Sequence, residues 1–372
     1  MRPTPKPTGM YAVGTTTFTS KEERDEVLYP GKKRRISARV YYPVTKESVK
    51  GQEKARYMSR DMFKGVKSAF KIPLNYDKAT AAGENITEAY TDAPKIDGEK
   101  FPLIIFNHGY QSFREGNSFL CIDLASQGYV VMTVGHPWEG VCTEYDDGEP
   151  IYFDKNLLKK ANSPMIPNII ALNKLMKLKC TDEEMIKAID EYQERFGLFM
   201  IERIPEWVKD IYTALDLAKE EIGDMIDFDK GIGVTGHSMG GAVAYYLCMN
   251  DPQFTCGANI DAMLFGKYND QVMDKPFMMI NCEENEMFAA RVCIMKSAPA
   301  YKVLFRDMKH QGFSDMKHAM PKVMSGLTGK LDADLMHENL CRCHTEFFDV
   351  HLKHTKDTPD IKSNDVIKWI NL

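Results

Sequence analysis

The chain of 372 residues, 44% hydrophobic and 27% charged, is long enough to bury a substantial core, as one elaborated domain or as two. A net charge of −5 lacks the basic excess of a nucleic-acid binder, and no run approaches the ~18–20 apolar residues that span a bilayer. Nine cysteines without short repeated spacing predict reduced thiols in a soluble, cytoplasmic protein; the alternative is a secreted protein whose signal peptide is absent, since MRPTPKPTGMYAVG opens without an apolar segment.

In chain order, SARVYYP (37–43), FPLIIF (101–106), GYVVMTV (128–134), GIGVT (231–235), PFMMIN (276–281) and YKVLFR (301–306) are short runs rich in β-branched and aromatic residues, and read as strands. Helical patterns fall between them at 117–127, 206–222 and 241–250. Strands alternating with helices predict an α/β fold with a mainly parallel sheet. Two segments break the alternation inside a single domain of 1–372. Residues 44–100 are polar and weakly patterned, a long excursion after an early strand. Residues 138–205 read as a helical cap or lid over the C-terminal edge of the sheet, with Ile169, Leu172, Leu175 and Met176 at helical spacing and TDEE (181–184) as a capping box. The segment 168–179 is expected to pack its apolar face on the core, with transient contact to a membrane surface as the alternative.

The chemistry concentrates in GHSMG (236–240). Here Ser238 stands between the strand GIGVT and a helix that opens on small residues, as a nucleophile elbow requires. A serine hydroxyl needs a base to take its proton and an acid to orient that base. His310 follows YKVLFRDM directly and opens the loop HQGFSD, which makes it the expected base; His318 is the alternative. The residue pattern leaves the acid open between Asp261, which ends FTCGANID, and Glu283 or Glu284, which follow PFMMINC. Oxyanion donors are expected from the backbone N–H groups of Met239, after the serine, and of Tyr110, after the turn His108-Gly109. CRCH (341–344) has no second ligand pair at zinc spacing, so neither a metal nor another cofactor is expected.

Together FNHGYQSFREGNSFLCIDLASQGYVV, GHSMGGAVAYYL, CGANIDAMLF and HQGFSD resemble blocks of the plasma-type platelet-activating factor acetylhydrolases, lipoprotein-associated phospholipases of the α/β-hydrolase fold, and their bacterial relatives. The similarity runs from about residue 5 to 320. It implies a calcium-independent serine ester hydrolase favouring short acyl chains on a small-molecule or lipid ester, with Ser238 as nucleophile, Asp261 as acid, His310 as base, and Tyr110 and Met239 as oxyanion donors. The alternatives are a general carboxylesterase or polyester hydrolase of other acyl preference, or a homologue that binds ligand without turnover. Met239, Met263 and GHPWEG (135–140) depart from the family pattern, and these positions are expected to line the pocket. Oligomeric state has no sequence signal.

Overall fold

A computed structural model describes residues 4–320 and 326–372; residues 1–3 and 321–325, inside the span read as one domain, lie outside the described residues. The strands are β1 (Ala12–Thr19), β2 (Arg24–Asp25), β3 (Lys33–Arg34), β4 (Ser37–Val44), β5 (Lys54–Arg56), β6 (Ile86–Thr91), β7 (Leu103–Asn107), β8 (Val130–Val134), β9 (Cys142–Thr143), β10 (Ile151–Tyr152), β11 (Ile232–His237), β12 (Phe254–Ile260), β13 (Phe277–Cys282), β14 (Ala300–Phe305) and β15 (Ile367–Asn371). Eleven make one sheet, ordered β15-β14-β13-β12-β11-β7-β8-β4-β1-β6-β5; β2/β3 and β9/β10 are separate ribbons. From β8 to β14 every neighbour runs parallel, and antiparallel β4 and β15 flank this run.

The central strands are unbroken apolar runs because both of their faces are covered: every residue of β7, β8, β11 and β13 is buried. The principal helices, in order, are α1 (Arg60–Phe70), α2 (Tyr76–Ala81), α3 (Ser118–Ser126), α4 (Lys155–Ala161), α5 (Met165–Leu175), α6 (Asp182–Tyr192), α7 (Leu198–Ile222) and α8 (Met239–Asn250). Alternation along β7 sends Leu103 and Ile105 to one face, with Trp207 and Ile211 of α7 and Val243 and Leu247 of α8. It sends Ile104 and Phe106 to the other, with Leu120 and Leu124 of α3 and Phe347 and Phe348 of the C-terminal helix Ala333–His351.

Segment 44–100 does more than wander. Its strands β5 and β6 extend the sheet beyond β1, and α1 and α2 add a satellite cluster in which Met62, Phe63 and Val66 meet Phe113 and Phe119. Segment 138–205 opens with the β9/β10 ribbon and continues through α4, α5 and α6. Thr181 and Glu184 form the expected capping box at the start of α6, whose last turn passes through a π-helical turn, Gln193–Gly197, into α7. One expectation holds only in part: Leu175 is buried in the core and Leu172 packs against it, but Ile169 and Ile170 are 52 and 63% exposed, as are Met165 and Ile166 before them at 61 and 68%, so α5 also presents an apolar side to solvent. On its inner side α5 packs against α6.

Because the strands from β8 to β14 are parallel, their C-terminal ends share one edge. Asn107 pairs with Gly236 and His237 with Ile260, so the residues that follow β7, β11 and β12 emerge side by side.

Candidate active site

Ser238 stands between β11 and α8 with φ 54° and ψ −126°, a conformation that L-residues rarely adopt and that turns the side chain out of the sheet edge. The flanking glycines are steric requirements. A Cβ on Gly236 would lie 2.4 Å from the Gly240 carbonyl carbon, and one on Gly240 would lie 2.0 Å from the Asn107 carbonyl oxygen. His310 opens a short 3₁₀ turn just beyond β14. Its Nε2 lies 2.9 Å from Ser238 Oγ and its Nδ1 lies 2.8 Å from Asp261 Oδ2.

Asp261 is itself at positive φ, 61°, at the end of β12. Its Oδ1 accepts from the Cys282 N–H at 2.9 Å; Oδ2 accepts from Asn285 Nδ2 at 2.8 Å and faces Cys282 Sγ at 3.4 Å. The Asp261 carboxylate is fully buried, whereas the His310 side chain keeps 34% of its surface in solvent. A buried acceptor at Nδ1 fixes the proton there and leaves the Nε2 lone pair aimed at the serine hydroxyl, which is the tautomer a general base needs. The structure thus brings Ser238, His310 and Asp261 together. It holds the other candidates apart: Glu283 and Glu284 are exposed, with Glu283 accepting from the Asp307 N–H at 3.2 Å, and His318 pairs with Asp334 at 3.2 Å.

The loop after β7 lies against the serine. A Cβ on Gly109 would come within 3.0 Å of Ser238 Cβ. Neither the Tyr110 N–H, in this loop, nor the Met239 N–H, in the first turn of α8, donates to another group among the described residues, so both remain available to an oxyanion. The side chains of Met239 and Met263, expected to line the pocket, are 1 and 5% exposed and belong to the core cluster on the α7 and α8 face. The Tyr110 ring, half-buried, meets the edges of Phe153 at 5.9 Å and Phe199 at 6.2 Å.

Sequence reasoning passed over three supporting residues. His237, inside the motif itself, is buried with Nε2 donating to the His310 carbonyl at 2.9 Å and its ring 4.7 Å from that of His310; burial, with the neighbouring His310, pushes its pKa down to about 3 and keeps it neutral. Cys282 and Asn285 hold the Asp261 carboxylate. Two of these contacts run through backbone atoms, which no side-chain pattern marks. Cys341, Cys343 and His344 lie buried on the C-terminal helix, where His344 bonds Thr235 and the Leu340 carbonyl.

Comparison with known proteins points one way. A family model described as platelet-activating factor acetylhydrolase, isoform II, matches residues 2–367. The platelet-activating factor acetylhydrolase of the dog, Canis lupus familiaris, is 26% identical over 373 residues, covering 95% of this chain and 78% of its own. That of cattle, Bos taurus, is 29% identical over 293 residues, covering 74% of this chain but only 62% of its own, less than two thirds. Among solved structures a ferulic acid esterase from Streptomyces cinnamoneus superposes with a TM-score of 0.72 at 20% identity, covering 98% of both chains. At that identity the likeness establishes the α/β-hydrolase type of fold alone.

Proposed function

The chain belongs to the platelet-activating factor acetylhydrolase family of the isoform II type and is a serine carboxylic ester hydrolase, and we propose that it works through an acyl-enzyme formed on Ser238. His310 takes the serine proton through Nε2 as Oγ attacks the ester carbonyl. Asp261 holds the Nδ1 proton and stabilises the imidazolium that forms, and the Tyr110 and Met239 N–H groups receive the oxyanion. His310 then hands its proton to the leaving alkoxide, and water deacylates the serine with His310 as base again. The observation that carries this reading is the unbroken line from Asp261 Oδ2 through His310 to Ser238 Oγ, 2.8 and 2.9 Å long. The test is turnover of a p-nitrophenyl ester. Ser238→Ala and His310→Ala are each expected to lower kcat by about 10⁴ to 10⁶, and retention of most activity by either would sink the mechanism.

The substrate in this reading is a phospholipid or similar small ester with a short acyl chain, supported by the family. An ester panel graded from acetyl to long acyl chains checks it; preference for long chains would favour a general carboxylesterase. The chain acts as one hydrolase unit, with 44–100 an excursion and 138–205 a cap. The outward Met165, Ile166, Ile169 and Ile170 of α5, near the exposed Lys159 and Lys160, support transient contact with a lipid surface, and no helix among the described residues is long and apolar enough to cross a membrane. All nine cysteines are free thiols, which supports a reducing, cytoplasmic location.

A further inference from the structure

We propose that His108 is a positioning residue for the oxyanion: it orients the Gly109–Tyr110 peptide, and a buried ionic platform beneath the turn 136–140 holds it in the one tautomer able to do so. The inference rests on the reading of the Tyr110 N–H as an oxyanion donor.

His108 is buried directly after β7. Its Nδ1 lies 2.7 Å from the Gly109 carbonyl oxygen, which can only accept, so Nδ1 carries a proton. Its Nε2 lies 3.4 Å from the His136 backbone N–H, which can only donate, so Nε2 carries a lone pair. Both nitrogens are used and the ring is neutral; burial, with His136 beside it, pushes its pKa down to about 3, in the same direction. The Ser112 N–H donates to the same Gly109 carbonyl at 2.9 Å. A trans peptide is planar, with its C=O and N–H pointing opposite ways, so clamping the Gly109 oxygen directs the Tyr110 N–H to the other side of that plane. On the far side of Tyr110, the Gln111 N–H donates to the Glu139 carbonyl at 2.8 Å. The donor residue is thereby held from both neighbours.

The platform explains why these holders do not drift. The Glu139 carboxylate is gripped by Arg203 through two contacts of 2.9 and 3.0 Å and by Arg34 at 3.3 Å. Arg34 also forks onto Asp210 at 2.8 and 2.5 Å, and Asp210 accepts from Arg24 at 2.7 Å and from His136 Nδ1 at 2.8 Å. The His136 ring stacks on Trp207 at 3.7 Å, and His108 meets both rings edge-on at 5.1 and 5.3 Å. Gly140 allows that approach, since a Cβ there would stand 3.3 Å from His108 Cε1. Desolvating so many ions is costly even when they are paired, and apolar side chains would fill the space at less cost. What the ions add is direction, imposed by geometry on the turn that holds His108 and Gln111.

The experiment compares His108→Ala, His108→Asn and His108→Gln on a p-nitrophenyl acetate substrate. Asn places an amide nitrogen near the position of Nδ1, and Gln does not. His108→Ala and His108→Gln are expected to lower kcat by about 10²-fold with KM within about twofold, and His108→Asn to recover kcat to within about tenfold of wild type. A loss confined to KM, an Asn variant no better than Ala, or wild-type kcat in the Ala variant would each overturn the inference. Nitrogen-15 NMR of the ring-labelled wild-type protein adds a reading that needs no variant to fold: the proton is expected on Nδ1 from about pH 5 to about pH 8, and a proton on Nε2 or a charged ring overturns the inference. Wild-type turnover that Ser238→Ala abolishes separates the two failures. If wild type turns over and His108→Ala matches it, this inference falls alone; if wild type has no turnover, both readings fall.

Discussion

Asp261→Asn tests the proposed acid with almost no change of shape. The carboxylate accepts from the Cys282 N–H through Oδ1, and from His310 Nδ1 and Asn285 Nδ2 through Oδ2. An amide offers one acceptor oxygen in place of two. If that oxygen stays with the immovable backbone donor of Cys282, the new NH₂ faces His310 Nδ1 and Asn285 Nδ2. Asn285 can turn its amide over. His310 can respond only by accepting at Nδ1 and moving its proton to Nε2, where it faces Ser238 Oγ at 2.9 Å as a donor and is no longer a base. The opposite amide orientation restores the working tautomer but sets an NH₂ against the buried Cys282 N–H. That unpaired donor costs about 1–3 kcal/mol, so only about one to fifteen molecules in a hundred remain competent, and those lack the charge that stabilises the imidazolium. A wrong tautomer alone lowers kcat by about 10⁴ in sites of this type. The two limits bracket the expected fall between about 10² and about 10⁴, or roughly 3 to 5 kcal/mol in the barrier. The assay is kcat on a p-nitrophenyl ester at mildly alkaline pH, beside the paired change Glu283→Gln with Glu284→Gln, which touches only exposed carboxylates and is expected to leave kcat within about twofold. If Asp261→Asn kept more than a tenth of the activity while the glutamine pair lost it, the acid would be misassigned.

Gly109→Ala would set a methyl group 3.0 Å from Ser238 Cβ and 3.3 Å from the His237 carbonyl oxygen, pushing the loop off the serine. We expect kcat to fall by about 10² with little change in melting temperature; unchanged kcat would mean that the loop carries no oxyanion donor. His237 is held neutral by burial, with a pKa near 3 when folded. The unfolded residue takes a proton below about 6.5, so its contribution to stability is complete above that value and declines on acidification. The stability advantage of wild type over His237→Gln should narrow by roughly 2 kcal/mol between about pH 7 and about pH 5, measured by urea unfolding, and a pH-independent difference would refute it. Ile166→Ser with Ile169→Ser and Ile170→Ser should weaken sedimentation with anionic vesicles while leaving hydrolysis of a soluble ester unchanged; equal vesicle binding would remove α5 as the contact surface.

The sheet was legible because burial on both faces writes itself as an unbroken apolar run. FPLIIF, GYVVMTV and PFMMIN correspond to β7, β8 and β13 to within about two residues. Strands β5, at the edge, and β6, beside it, escaped notice because they are short and polar. Ser238 and His310 stood out since each follows a strong strand directly. The acid did not, because Asp261, Glu283 and Glu284 all follow strand ends in sequence. What distinguishes Asp261 is tertiary: a left-handed φ and donors from Cys282 and Asn285 that turn it inward. The expected packing of α5 was met only along Leu172 and Leu175, for a related reason. Periodicity marks an apolar side, and only the neighbouring elements decide whether it is covered.

The position of Met239 changes where selectivity should be sought. Its backbone stands beside the serine, but its side chain is only 1% exposed and packed in the core, so a different residue there acts on the fold before it acts on a substrate. The half-buried rings beside the loop are Tyr110, Phe153 and Phe199, and the last two belong to segment 138–205. That segment also grips the far side of the site. Gln193, in the π-helical turn, donates to the Leu264 carbonyl at 3.2 Å and accepts from the Gly266 N–H at 3.0 Å, on the stretch of chain that has just left Asp261. Segment 138–205 therefore supplies the rings that meet Tyr110 and braces the loop after Asp261, while Ser238, His310 and Asp261 hang from the ends of β11, β14 and β12. Changes in the insert can alter which ester fits without moving the hydrogen-bonded line, which is how a single sheet edge can serve esterases of different preference.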